Sequence, residues 1–405
     1  MRIILKNLFL LVIFLALLLV FFYKEIGDIK HLHIQNIQRP EKGASLLAQA
    51  TEYPSVTEQE RCVQNTTAAN ITGFSTLPGH IQDFLYYRHC RFFPMLLNAP
   101  EKCGGAVNSA DVFLLLVIKS SPGNYDRREV LRKTWAEERL YNGVWIRRIF
   151  IVGTTPSGSD NKLLELENRV YKDILQWDFY DRFYNLTLKQ VLFLEWMAKN
   201  CPNARFLFNG DDDIFANTDN MVLYLQSLKD NDGSKHLFTG NVMRNVGPLR
   251  FAWSKYYIPV QVYESNSYPP YLEGGGYLLS SYTALMIYYM SYTVSLIPID
   301  DVYLAICLAK AGLGPTHHLG VRTRGMYIPS KQLDQHDPCY YKEILLVHGF
   351  APHSLFIMWQ SVHDPNLKCE HLRKSSEPII PGKKTIKKPE VIVTTDEPQS
   401  AMIHN

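Results

Sequence analysis

Between residues 111 and 210 short apolar runs alternate with longer amphipathic ones, and this alternation constrains the fold more than any other feature. DVFLLLVIKS (111–120) is apolar almost throughout, as expected for a strand covered on both faces. NYDRREVLRKTWAEERL (124–140) reads as a helix that Asn124 or Asp126 can cap, with Val130, Leu131, Thr134 and Trp135 along one side. WIRRIFIVG (145–153), DILQWDF (173–179) and ARFLFNG (204–210) read as further strands, separated by helices at NKLLELENRV (161–170) and LTLKQVLFLEWMAKN (186–200). Strands that alternate with helices build a mostly parallel sheet with helices on both faces, so the expected fold class is α/β. Ligands of such sheets sit beyond the carboxyl ends of the strands.

At that end of the fourth strand stand three adjacent carboxylates, Asp211, Asp212 and Asp213. A solvated loop is the plain alternative, but solvated loops have polar flanks, and Phe206, Leu207, Phe208, Ile214 and Phe215 enclose this one. Like charges so close repel and lose hydration when covered, unless a cation or hydrogen-bond donors compensate. A metal or nucleotide site is the sharper reading.

Four other stretches carry chemistry. In RREVLR, Arg128 and Arg132 share one helix face near an N-terminus, where the backbone favours anions; a solvated basic face is the alternative. PPYLEGGGYLLS (269–280) holds Glu273 and the run Gly274, Gly275, Gly276, which suits close backbone approach to a ligand or an ordinary tight turn. SLIPIDDVYLAICLAKAGL (295–313) puts Asp300 and Asp301 at a helix start, as caps or as a general base. LLVHGF (345–350) sets His348 in an apolar run, where a core histidine competes with a ligand.

The termini differ from this pattern. Leu8 to Phe22 are all apolar, with Arg2 and Lys6 before them and Lys24 after. The tract from Asn7 to Tyr23 reaches the lower limit of the ~17–25 residues that span a bilayer. A cleaved signal peptide would have a shorter apolar region and a small-x-small site after it. Basic residues before the span favour a cytoplasmic N-terminus. The expected order is a cytoplasmic tail (1–6), a transmembrane signal anchor (7–23), a luminal stem and irregular subregion (24–105) and, after the catalytic domain, a disordered tail (372–405) carrying KKTIKK. Asn65, Asn70 and Asn185 open N-glycosylation sequons, which only a luminal or extracellular chain can use. Seven cysteines permit disulfides there and leave at least one unpaired, and no C-x-x-C spacing suggests zinc. A net charge of +3 from 42 basic and 39 acidic residues gives no field for nucleic acid.

In order and spacing, RREVLRKTW, NLTLK, GDDDIF, YPPYLEGGGYLLS and IDDVYLAICL resemble the β1,3-glycosyltransferase family of type II Golgi enzymes. The chain is most similar to its β1,3-N-acetylglucosaminyltransferases, the group that includes poly-N-acetyllactosamine extenders and a mucin core 1 extender, with a catalytic domain at 106–371. The resemblance implies a GT-A-like nucleotide-sugar-binding fold on a single-pass Golgi membrane anchor, with the catalytic domain luminal. It implies transfer of GlcNAc from UDP-GlcNAc in β1,3 linkage to a galactose-terminated glycan, a core 1 O-glycan or N-acetyllactosamine, on glycoprotein or glycolipid. Asp213 and His348 match metal ligands for Mn²⁺ or Mg²⁺, and Asp211 and Asp212 lie nearer the nucleotide with Arg128 and Arg132. Asp301 matches the base, with Asp300 the lesser candidate. Glu273 and Gly274 to Gly276 would border the donor sugar or acceptor, and Trp253, Lys255 and Tyr256 the acceptor side. A homodimer or a partner glycosyltransferase is compatible with the resemblance.

Two positions depart from the family pattern. Leu272 stands where a cysteine usually follows YPPY, which would account for the odd cysteine count, and Glu273 stands where a small residue is common. The competing readings are a β1,3-galactosyltransferase of the same family, a glycosidase with paired carboxylates, and an inactive Golgi glycan-binding or scaffold protein.

Overall fold

Val112–Lys119 (β2) is buried at all eight positions and organises two cores. Leu115 and Val117 enter one core; Leu114, Leu116 and Ile118 enter the other. The computed structural model describes residues 62–324, 334 and 336–369. The expected tails and anchor (1–6, 7–23 and 372–405) lie outside them, and among the described residues no helix is long and apolar enough to cross a membrane.

The expected strands are all present and adjacent. Val144–Thr154 (β4) and Phe206–Asp211 (β6) flank β2, and Ile174–Tyr180 (β5) lies beyond β4, all parallel. Met95–Leu97 (β1) and Arg139–Tyr141 (β3) pair antiparallel with β5 and β4. On the other side Gly276–Ser280 (β11) runs antiparallel to β6 and to Phe238–Gly240 (β8), with Thr316–His317 (β12) at the edge. The sheet is therefore mixed, parallel-rich at its centre, and the antiparallel half goes beyond what the alternation predicts. Two small sheets flank it: Val242–Met243 (β9) with Tyr271–Leu272 (β10), and Ile214–Ala216 (β7), Val321–Arg322 (β13) and Leu346–His348 (β14).

The main helices are Gly79–Tyr87 (α1), Tyr125–Arg132 (α2), Gly158–Tyr171 (α3), Leu186–Asn200 (α4), Thr218–Ser227 (α5), Ser281–Ser291 (α6), Asp300–Lys310 (α7) and Pro352–Val362 (α8). Leu192 and Phe193 of α4 and Leu304 and Leu308 of α7 share the core that Leu115 and Val117 enter; Leu131, Leu164 and Leu355 belong to the other.

One expectation needs correction. The helix expected over 124–140 ends at Arg132, and 139–141 is the strand β3. Trp135 is the reason: it is fully buried, its Nε1 donates to the Ile214 carbonyl at 2.9 Å, and its ring meets Phe208 edge-on. That anchorage draws the chain down under β7 instead of along the helix axis.

Within the expected stem and irregular subregion (24–105), residues from Cys62 onward are packed onto the body. Phe74, Ile81, Phe84 and Leu85 enter the same core as α4, and Arg88 donates to the Leu296 and Val262 carbonyls at 2.6 and 3.0 Å. Disulfides join Cys62 to Cys90, Cys103 to Cys201 and Cys339 to Cys369. Cys307 is free and buried in the same core as Leu272, and burial pushes its thiol up to about 12.

The Cys103–Cys201 bridge closes a loop of 98 residues and ties this N-terminal segment to the end of α4. Replacing both cysteines by serine is expected to cost ~2–5 kcal/mol, seen as a fall in thermal midpoint of roughly 4 °C or more by calorimetry.

Candidate active site

The register of β2 against β6 sets Lys119 beside Asp211. The Lys119 ammonium is buried, 2.9 Å from Asp211 Oδ1 and 3.1 Å from Asp300 Oδ2. Burial alone would push its pKa down, but the two carboxylate charges outweigh burial and raise it well above the usual lysine value. Asp211 itself is raised by burial despite that partner.

The three aspartates then diverge. Asp212 is turned inward: one oxygen accepts from Ser120 Oγ at 2.6 Å and Asn124 Nδ2 at 2.9 Å, the other from Arg127 Nη1 at 2.9 Å. Asp213 meets His348, because β14 pairs antiparallel with β7 and places His348 opposite Ile214. The Gly349 and Phe350 N–H groups donate to the Asp213 carbonyl and lock that register.

Asp211, Asp213 and His348 bring their ligand atoms within 4.8 Å of one another. Asp213 Oδ1 is buried, stands 3.3 Å from His348 Nε2 and has no hydrogen-bond partner of good geometry. Burial would raise Asp213, but His348 and Arg127 draw it below the usual carboxylate range; Asp213 in turn raises His348. Two carboxylates, one imidazole and an orphaned buried oxygen fit a divalent cation.

The glycine run connects this cluster to Asp301. Gly274 N–H donates to Asp301 Oδ2 at 3.1 Å, and Gly275 accepts from Asp211 N–H at 2.9 Å. Gly276 pairs with Gly210 in the sheet. Gly275 has φ +102°, which strains any residue with a Cβ, and a Cβ there would also crowd the His348 ring at 3.1 Å.

Asp301 begins α7 and also accepts from Val302 N–H at 2.7 Å. Burial, and then the neighbouring Asp300 charge, push its pKa up to about 7. Asp300 is held by Lys119, which leaves Asp301 as the carboxylate poised to exchange a proton near neutrality.

Comparison with known proteins decides the family. A family profile described as Galactosyltransferase matches residues 126–318. The human N-acetyllactosaminide beta-1,3-N-acetylglucosaminyltransferase 3 is 51% identical over 313 residues, covering 76% of this chain and 82% of that protein. The mouse (Mus musculus) acetylgalactosaminyl-O-glycosyl-glycoprotein beta-1,3-N-acetylglucosaminyltransferase is 46% identical over 323 residues, covering 78% and 81%. The chain belongs to the β1,3-N-acetylglucosaminyltransferase family.

In this glycosyltransferase, Arg128 and Arg132 share one face of α2, as their spacing suggests, and that face meets buried carboxylates. Arg128 forks onto Glu167 at 2.8 and 2.7 Å and also donates to Ser120 Oγ at 3.0 Å. Arg132 forks onto Asp173 at 2.9 Å through two nitrogens and reaches Glu167 at 2.7 Å, and Arg148 joins the same Asp173 at 2.8 Å. Both guanidiniums are buried and engaged by carboxylates. Arg127, which the sequence reading missed, is the arginine of α2 at the aspartates: 2.9 Å from Asp212 and 3.4 Å from Asp213, and about one third exposed (36%). Lys119, Ser120 and Asn124 were missed as well, although a lysine closing an apolar strand was a visible signal.

Glu273 Oε2 accepts from Asn241 Nδ2 at 2.5 Å and Thr323 Oγ1 at 2.6 Å, and Arg324 lies 3.3 Å from Oε1. It borders Gly274 with its carboxylate already oriented. Trp253, Lys255 and Tyr256 are exposed on the segment between β9 and β10. Asn65 and Asn70 are exposed; Asn185 is partly buried and its amide donates to the Tyr180 carbonyl at 2.7 Å.

The two kinds of arginine separate experimentally. Arg132→Gln leaves Asp173 and Glu167 short of a buried partner and is expected to cost ~3 kcal/mol or more, whereas Arg127→Gln, at the more exposed arginine, costs less than ~1 kcal/mol in urea titrations.

Proposed function

We propose that this chain is an inverting glycosyltransferase that moves GlcNAc from UDP-GlcNAc in β1,3 linkage to a galactose-terminated glycan. The observation that carries this reading is the glycine run, which holds Asp301 through Gly274 and Asp211 through Gly275 and so sets a proton acceptor beside an acidic donor motif. The relatives are named for N-acetyllactosaminide and for acetylgalactosaminyl-O-glycosyl-glycoprotein acceptors. Lactosamine chains and core 1 O-glycans are accordingly the proposed acceptors. The proposed architecture is GT-A-like, on a type II anchor in the Golgi membrane; the apolar N-terminal tract, three sequons and three disulfides support that placement.

Asp213 and His348, with Asp211 in the same cluster, would hold a divalent cation, Mn²⁺ or Mg²⁺, the imidazole favouring Mn²⁺. When bound, such a cation offsets charge on the leaving diphosphate. Arg127 adds a positive charge on the same side.

Asp301 accepts the proton from the galactose 3-hydroxyl, and that oxygen attacks the anomeric carbon from the face opposite UDP. One displacement inverts the α-donor to a β-product, so a single base suffices and no covalent intermediate is needed. The Gly274 and Val302 N–H groups fix the carboxylate while burial keeps its basicity high.

Asp301→Asn is expected to lower kcat by at least ~10²-fold while UDP affinity, measured by calorimetry, stays within about twofold. Retained turnover would remove Asp301 as the base. Asp213→Ala is expected to abolish cation-dependent UDP binding and transfer in a protein with wild-type circular dichroism; near-normal turnover would remove the metal assignment.

The pH dependence has a defined sign. Asp301 must be deprotonated to act, and its pKa is raised to about 7, so log kcat/KM should rise with unit slope below pH 7 and level off above it. A profile flat from pH 5 to 8 would contradict the assignment.

A further inference from the structure

At the pole of the sheet opposite Asp211 the protein carries a cavity of about 520 Å³ that the proposed reaction does not use. It lies at the amino ends of the parallel strands, between Val112 at the start of β2, Trp145 near the start of β4 and Lys172 just before β5. β2 is eight residues long, which puts roughly 23 Å between this cavity and Lys119 at the reaction cleft. Its walls are pinned. The Cys103–Cys201 disulfide fixes one side, and Asn98 Oδ1 accepts from Trp196 Nε1 at 2.8 Å. Lys102 Nζ donates to both oxygens of Glu138 at 3.1 and 3.2 Å, and Glu138 Oε1 also accepts from Arg148 N–H at 3.0 Å.

Beyond that satisfied pair, four charges on the lining are left over. Among the described residues, Arg147, Lys172, Glu101 and Asp111 make no ion pair. The Arg147 guanidinium lies 4.2 Å from the centroid of the Trp145 ring, which is still 38% exposed. Two cations, two anions and an indole thus face one space with no net charge. This balance selects the occupant. An anion meets repulsion from Glu101 and Asp111, and a cation from Arg147 and Lys172. A purely apolar molecule would strip water from all four and return no hydrogen bonds. A neutral sugar meets each demand: its hydroxyls donate to the carboxylates and accept from the guanidinium and ammonium, and the apolar C–H face of a pyranose lies on an indole. The volume falls within the ~300–1,000 Å³ range of small-molecule pockets.

We propose that this cavity is a second carbohydrate site, selective for neutral glycans and independent of the reaction cleft. It gives the enzyme a hold on a glycosylated carrier at a point remote from the chain end being extended, so that two weak contacts act on one molecule. That consequence rests on the proposed function; the binding itself does not.

The test is hydrogen exchange read by mass spectrometry on the full-length enzyme, alone and with chitobiose, N-acetyllactosamine, N-acetylneuraminic acid or UDP. Chitobiose has no terminal galactose, so its binding is separate from that of an acceptor in the cleft. Both disaccharides are expected to slow exchange in segments 98–112 and 138–147, and UDP only in segments around the cleft. Trp145→Ala and Arg147→Gln are each expected to weaken chitobiose binding at this pole about tenfold, and Trp145→Phe, which keeps an aromatic face, to weaken it less. Circular dichroism checks that the variants fold, and the wild-type experiment stands without them. Absence of disaccharide protection at this pole of the wild type overturns the site, as does chitobiose binding that neither variant changes. Protection there by N-acetylneuraminic acid or UDP equal to that by the neutral sugars overturns the ligand class. Absence of UDP protection at the cleft counts against the proposed function instead, a result distinct from the other three.

Discussion

Lys119 is a buried cation at the end of an otherwise apolar strand, and the site depends on it. It stands 2.9 Å from Asp211 and 3.1 Å from Asp300, residues of the acidic motif that ends β6 and of the helix that carries the proposed base. Without it, two largely covered carboxylates would face each other uncompensated, an arrangement that costs several kcal/mol. The same contact distinguishes Asp300 from Asp301. Lys119 pairs with the first, while the second is held by two backbone N–H donors, and burial, then its neighbour's charge, raises its affinity for a proton.

A second layer of ion pairs sits beneath. Glu167 and Asp173 hold Arg128, Arg132 and Arg148, and Arg128 reaches Ser120, which in turn donates to Asp212. The acidic motif is therefore positioned by buried charges on three elements that are far apart in sequence. Such networks contribute little net stability compared with apolar packing, but breaking one partner is costly.

Much of this was legible in the sequence, for identifiable reasons. The central parallel strands showed as apolar runs because both faces are covered, and the position of the aspartates followed from where such strands end. The antiparallel half was less visible, since β8 and β11 are only three and five residues long. Four-residue spacing correctly put Arg128 and Arg132 on one helix face but could not say which face meets the ligand. That depends on α3 and β4 packing under the helix, which turns Arg127 toward the aspartates. The meeting of His348 with Asp213 rests on the register of β14 on β7, a long-range pairing that no local pattern encodes. Leu272 and Glu273, the two departures from the family pattern, directly precede Gly274, whose N–H holds Asp301: Leu272 shares a core with the free Cys307, and Glu273 is oriented by Asn241 and Thr323.

The most direct test of the central claim is the identity of the bond formed. UDP-GlcNAc and UDP-Gal would each be offered with Mn²⁺ to the purified enzyme, with lactosamine and core 1 acceptors, and the product linkage determined by NMR with and without EDTA. The account predicts a β-linked GlcNAc on C3 of the terminal galactose, lost on chelation. An α-linked product, transfer from UDP-Gal alone, or full turnover in EDTA would contradict it.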